Sequence, residues 1–390
     1  MIAPDTQIKI VPRLRFRGFS DEWQEKKLGD ISQFAKGKNI SKDDISEDGK
    51  TEAIRYGELY TRYNEVIDKV HSRTNLDPST LALSKSNDVI IPASGETSID
   101  IATASCVLKD NIALSGDINI IRTENNGVFL AYYLNNSKKL DIARLAQGNS
   151  VVHLYPSSLK SLTLNLPALK EQEKIAKVLT VAGDKISALQ NKKELLQKYK
   201  KGAMQAIFSQ KIRFKDENSK DYPSWQENKL GALATITTGR KDVNAGSPKG
   251  KYPFYTCAKD HTYSDYYSFD GEAILIAGNA EVGLCQYYVG KFEAYQRTYV
   301  LQNFRILGTY LFRYLSHYFR QYALGLKQTG AMSFIKIGTL NNFNVPVPAK
   351  GEQKKIADFL TSLDDKINLT ENNLEQAKRF KNSLLQQMFI

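Results

Sequence analysis

Cys257 and His261 stand four residues apart, close enough to offer a thiolate and an imidazole to one metal ion. A zinc site needs a second close pair, and Cys106, Cys285, His71, His153 and His317 are scattered singly along the chain. Gly246-Ser-Pro-Lys-Gly250-Lys251-Tyr252 has the outline of a phosphate-cradling loop. It carries one residue too few between its glycines, a proline, and a tyrosine where a metal-binding hydroxyl belongs, so it reads as a lysine-rich turn. Carboxylates such as Glu96 and Glu281 could form an acid–base pair in some fold, but nothing in their spacing singles them out. No G-x-G-x-x-G, H-E-x-x-H, G-x-S-x-G or Asn-Pro-Pro-aromatic methyltransferase signature occurs. The chain reads as having no active site of its own.

The chemistry that remains is that of a polyanion surface. The 390 residues carry a net charge of +12, with ordinary hydrophobic content of 42%, which suits a folded protein with a nucleic-acid or anionic partner. The first half offers Lys36, Lys38, Asn39, Arg55, Arg62, Ser94, Thr97, Asn149, Ser150 and His153 in polar, loop-like settings. The second half offers Thr238, Arg240, Lys241, Lys259, Asn279, Arg297, Lys327, Gln328 and Ser333. Lysine and arginine neutralise phosphates, while arginine, asparagine and serine can read base edges. For any one of these residues plain surface solvation is the simpler reading; the argument rests on the ensemble.

These residues need a frame, and the frame is written twice. Trp23-Gln-Glu-Lys-Lys-Leu28-Gly29 returns as Trp225-Gln-Glu-Asn-Lys-Leu230-Gly231, preceded by Arg15-Phe16 and Arg213-Phe214 and followed by Gly37 and Gly239. Such a pair of matches is an internal duplication at domain size. Within each copy, β-branched runs at Asp88–Pro92, Asn119–Arg122, Ala273–Ile276 and Arg297–Leu301 predict buried strands. Phe129–Leu134 and Tyr310–Leu315 predict matching helices, and Leu162–Leu166 and Phe343–Val347 predict closing strands. Strands and helices without a βαβ rhythm predict an α+β module. Residues 1–168 and 211–349 are the expected modules, with 169–210 and 350–390 as the segments that follow them.

Those segments are EQEKIAKVLTVAGDKI from Glu171 and EQKKIADFLTSLDDKI from Glu352. Ile175, Leu179, Ala182, Ile186, Leu189, Leu196, Tyr199 and Ala203 form one narrow apolar stripe; Ile356, Leu360, Leu363, Ile367, Leu374, Phe380 and Leu384 form its counterpart. The expectation is two long helices paired antiparallel as a coiled coil, about a pseudo-twofold axis relating the modules. Two independent helical tails, each docked on its own module, are the simpler alternative.

The doubled E-Q-x-K-I-A-x-x-L helices and the doubled Trp-to-Leu-Gly segments resemble the specificity subunit of type I restriction–modification enzymes, over nearly the whole chain. The resemblance implies two target recognition domains, each reading one half of a bipartite site in double-stranded DNA, with the helices setting the gap. It also implies a non-catalytic adaptor that joins two modification subunits and further restriction subunits. S-adenosylmethionine, ATP and Mg²⁺ would then belong to those partners, with no cofactor or metal held by this chain. A cytoplasmic, soluble protein is expected, since the cysteines form no disulfide framework and no apolar run is long enough to span a membrane. Two rival readings are a free-standing DNA-modifying enzyme and an assembly scaffold that binds no DNA.

Overall fold

The computed structural model describes residues 11–38, 40–148, 150–327 and 333–390. The chain divides into two units, one formed by residues up to 190 and from 372 onward, the other by residues 191–371.

In the first unit, a mixed sheet takes the strands in the order Ser32–Lys36, Ile118–Thr123, Val89–Pro92, Ser105–Val107 and Val66–Ile67. All neighbours are antiparallel except the last pair. Strand side chains alternate between faces, and here the alternation feeds two cores. Val89, Ile91 and Ile121 join the core under the helix Gly127–Asn136, while Ile90, Ile118 and Ile120 join a second core with Ile54 and Leu59. The second unit repeats the plan with Thr235–Thr238, Thr298–Gln302, Glu272–Ala277 and Cys285–Val289. Ile274, Ile276 and Leu301 face the helix Gly308–Leu326; Ala273, Leu275 and Val300 face the other way, toward Phe292. That helix runs well past the expected Leu315 because Phe319 and Ala323 keep its buried stripe going. Its counterpart stops at Asn135-Asn136.

Each module is clasped by its own ends. Gln24–Lys27 pairs antiparallel with Thr163–Leu166, and Gln226–Lys229 with Asn344–Val347. The long helices, Leu169–Phe208 and Lys350–Met388, begin directly after these closing strands. The duplicated Glu-Gln explains how each helix is fastened. Glu171 is buried and receives Arg15 Nε at 2.7 Å and Nη2 at 2.8 Å. Glu352 is buried and receives Arg213 at 3.1 and 2.7 Å and Trp225 Nε1 at 2.9 Å. These hydrogen bonds hold both guanidiniums above their ordinary pKa. Gln172 donates to Pro167 O at 2.9 Å and accepts from Asn126 N at 3.0 Å; Gln353 donates to Pro348 O at 2.8 Å and accepts from Leu307 N at 2.9 Å. Each glutamine thereby ties the closing strand to the N-cap of the module helix.

The helices pair antiparallel. In the second unit Lys193 Nζ meets Glu371 at 2.5 Å and Lys200 meets Asp364, so a step of seven forward on one helix is seven back on the other. In the first unit Gly183 lies opposite Lys381. Ile356, Leu360, Leu363, Ile367, Thr370, Leu374 and Ala377 are all buried, at alternating steps of four and three, the signature of a coiled-coil seam. On the first helix Ile175, Leu179 and Ala182 are buried and Ile186, Leu189 and Leu196 half-buried. Tyr199 and Phe380, expected on the stripes, are instead 58% and 59% exposed. A regular 3–4 repeat passes from Leu196 to Lys200, and from Leu374 through Ala377 to Lys381, which bypasses both aromatics.

Candidate nucleic-acid interface

The C-terminal end of the strand Val89–Pro92 and the N-terminal end of Ile118–Thr123 meet at one edge of the first module. Ala93 N donates to Asp117 O at 2.8 Å, and Leu154 N donates to Ala93 O at 2.9 Å. Gly37 N donates to Ile118 O at 3.0 Å, and Lys38 N to Leu114 O at 2.9 Å. Tyr56 N reaches Ser115 Oγ at 3.1 Å, which brings Arg55 to the same edge. Ser94 pairs with His153 across two short strands and donates its hydroxyl to Asp117 Oδ2 at 3.0 Å. The result is a rim carrying exposed Lys36, Lys38 and His153 and half-buried Arg55. Thr97 serves as the N-cap of the adjoining turn Ser98–Ile101, accepting from Asp100 N at 3.1 Å. Ser150 is exposed in the loop before Val152. Arg62 lies apart from this edge contact set, 3.5 Å from the buried carboxylate of Glu58.

The second module repeats three of these backbone bonds. Gly278 N donates to Arg297 O at 3.0 Å, Ile335 N to Gly278 O at 2.9 Å, and Gly239 N to Thr298 O at 3.1 Å. Asn279 bridges Phe334 as Ser94 bridges His153. Even the support beneath is matched by different chemistry. Asn119 Nδ2 donates to Leu154 O at 2.9 Å, and the Tyr299 hydroxyl donates to Ile335 O at 2.9 Å. Exposed Thr238, Arg240, Lys241 and Arg297 stand on this rim, and Thr238, Arg297 and Lys336 line a cavity of about 500 Å³ beside it. Ser333 leads into it, half-buried. Lys259 sits on the loop after Cys257, whose Sγ contacts Arg297 O at 3.3 Å; its carbonyl accepts from Gln286 Nε2 at 2.6 Å. Lys327 is exposed just past the helix Gly308–Leu326. Asn39, Asn149 and Gln328 lie outside the described residues.

Three of the residues considered for catalysis have other partners. Cys257 is buried against that carbonyl, His261 rests 5.3 Å from the rings of Tyr255 and Tyr263, and Glu281 pairs with Arg320 at 2.6 Å. Residues 246–251 form a turn that leads into the strand Tyr252–Tyr255, with Gly250 N donating to Ser247 O at 2.9 Å. Among the described residues no cluster of three metal-ligating side chains occurs, and no helix is long and apolar enough to cross a membrane.

Comparison with known families places two copies of one domain on this frame. The type I restriction modification DNA specificity domain matches residues 20–198 and 223–379. The chain belongs to that family. Within the type I specificity family it is 34% identical over 168 residues to the EcoDI specificity subunit of Escherichia coli, a match spanning 41% of this chain and only 37% of that protein. It is 24% identical over 402 positions to the MjaVIII specificity subunit of Methanocaldococcus jannaschii, covering 94% and 91% of the two chains. The fold is that of the type I S subunit from M. genitalium, with a TM-score of 0.70 at 18% identity over 97% and 99% of the chains. A chain from a study of type I complex assembly and conformational transition matches at 0.52 and 16% identity, covering 94% and 97%. The family's doubled domain is the duplication read from the Trp23 and Trp225 segments.

Sequence reasoning missed Asp117, the rim carboxylate, and Lys193 and Lys200, which occupy seam positions. Aligning Ile118 with Thr298 would have set Asp117 opposite Arg297; continuing the 3–4 repeat would have found both lysines.

Proposed function

We propose that the chain reads a bipartite double-stranded DNA sequence, one half with each rim. The observation that carries this is a shared backbone frame bearing different side chains, as expected of modules that hold the same posture on different sequences. Residues 1–168 and 211–349 serve as the target recognition domains, and 169–210 and 350–390 as the spacer helices. The chain itself is non-catalytic and works in the cytoplasm. Two modification subunits dock on the exposed helix faces and supply S-adenosylmethionine-dependent methylation; restriction subunits supply the ATP- and Mg²⁺-dependent steps.

Cations at Lys36, Lys38, Arg55, Arg240, Lys241 and Lys336 suit phosphates, and neutralising about six of them makes binding steeply salt-dependent. Affinity for cognate DNA, measured by fluorescence anisotropy on the assembled complex, is expected to fall on the order of 10³-fold between 50 and 200 mM salt. A flat salt response favours the scaffold reading. Helix length provides a second test. Four residues add about 6 Å of helix, roughly two base pairs of DNA. Inserting four residues near Gln190, matched by four near Asn372, is expected to lengthen the unread spacer of the methylated motif without altering either half. An unchanged spacer from an assembled complex rejects the ruler role.

A further inference from the structure

Asp117 and Arg297 occupy one position in two copies of the same frame. Each carbonyl accepts the amide of the residue that follows the neighbouring strand, and each stands immediately before the strand that pairs with it. Both side chains are exposed. Their charges are opposite, on rims that both carry cations. A carboxylate among Lys36, Lys38 and Arg55 repels phosphate, so contact with the DNA backbone is the wrong chemistry for it. Ser94 Oγ holds Oδ2 at 3.0 Å, and among the described residues Oδ1 accepts no hydrogen bond. A carboxylate positioned this way matches the amino donor that cytosine N4 presents in the major groove, whereas an arginine fork matches guanine O6 and N7.

We infer that Asp117 and Arg297 are equivalent specificity-determining residues, Asp117 selecting a cytosine in one half-site and Arg297 a guanine in the other. The inference rests on the recognition reading above. Its test is to express the full chain with the modification subunit of its own system and to sequence the methylated adenines of a plasmid library. Asp117→Asn turns the acceptor into a donor–acceptor pair suited to adenine; Arg297→Gln does the same in the other module. Each variant is expected to shift preference at one base pair, from cytosine or guanine toward adenine, by about 10-fold or more, with the opposite half-site unchanged. Variants that keep every base preference, or that lower methylation uniformly without a shift, overturn the inference and leave these residues as structural. A wild-type chain that directs no bipartite motif overturns the recognition reading, and the inference with it.

Discussion

Replacing Arg213 with alanine is expected to destabilise the second unit by roughly 3 kcal/mol, because it leaves the fully buried Glu352 carboxylate without its cation. Removing one partner of a buried pair is far more costly than removing both, since the remaining charge keeps its desolvation penalty. Two features hold the expected loss at the low end of that range. Trp225 Nε1 still donates to Glu352, and the carboxylate sits in the first turn of a helix, where the dipole favours negative charge. Arg213→Lys should recover only part of the loss, because an ammonium cannot make both hydrogen bonds in the fork geometry. Denaturant unfolding of the full chain measures the difference. A change below about 1 kcal/mol would mean that Glu352 finds a new partner at little cost. Arg15→Ala tests the same device in the first unit, where Glu171 lacks the tryptophan donor and the loss should be at least as large.

This clamp shows how much of the molecule was legible in the chain. Glu171 and Glu352, Arg15 and Arg213, and both tryptophans stood out because they repeat, yet repetition carries no information about which residues meet. Arg15 and Glu171 are 156 residues apart in sequence; only the closing strands that bring each module's two ends together make them neighbours. The central strands were readable because their apolar residues feed two cores, and the long helices because their seams are periodic. Tyr199 and Phe380 were misplaced for the same reason that the seam was found. Apolar character was followed where the period demanded Lys200 and Ala377, and a lysine reads as seam only when its acidic partner on the other helix is known. Rim residues have no periodicity at all. Lys38 and Arg240 could be named from composition, but their equivalence depends on hydrogen bonds to Leu114, Ile118 and Thr298 that no local pattern announces.

Gly37→Ala and Gly239→Ala are expected to disable one rim each, with affinity for cognate DNA lowered at least about tenfold and stability lowered by roughly 2–3 kcal/mol, as for a side chain forced into a packed site. Neither glycine is needed for a left-handed backbone. What each one needs is room. A Cβ on Gly37 would lie 1.8 Å from Ser115 O and 2.6 Å from Leu114 O; on Gly239 it would lie 1.9 Å from Ala294 O and 2.5 Å from Tyr295 O. These obstacles are backbone, so no rotamer change relieves them, and the chain carrying Lys36 and Lys38, or Thr238 and Arg240, must move away from the neighbouring strand. That movement breaks the amide contacts from Gly37 to Ile118 and from Gly239 to Thr298, which position the rim cations. Because the rims are separate copies of one device, the two substitutions should weaken different half-sites. Competition binding with oligonucleotides altered in one half at a time separates them. Gly37→Ala should erase discrimination in the half that Asp117 reads and leave the other intact, and Gly239→Ala should do the reverse. Full discrimination in both halves, in a folded variant, would mean that the chain around these glycines does not face DNA.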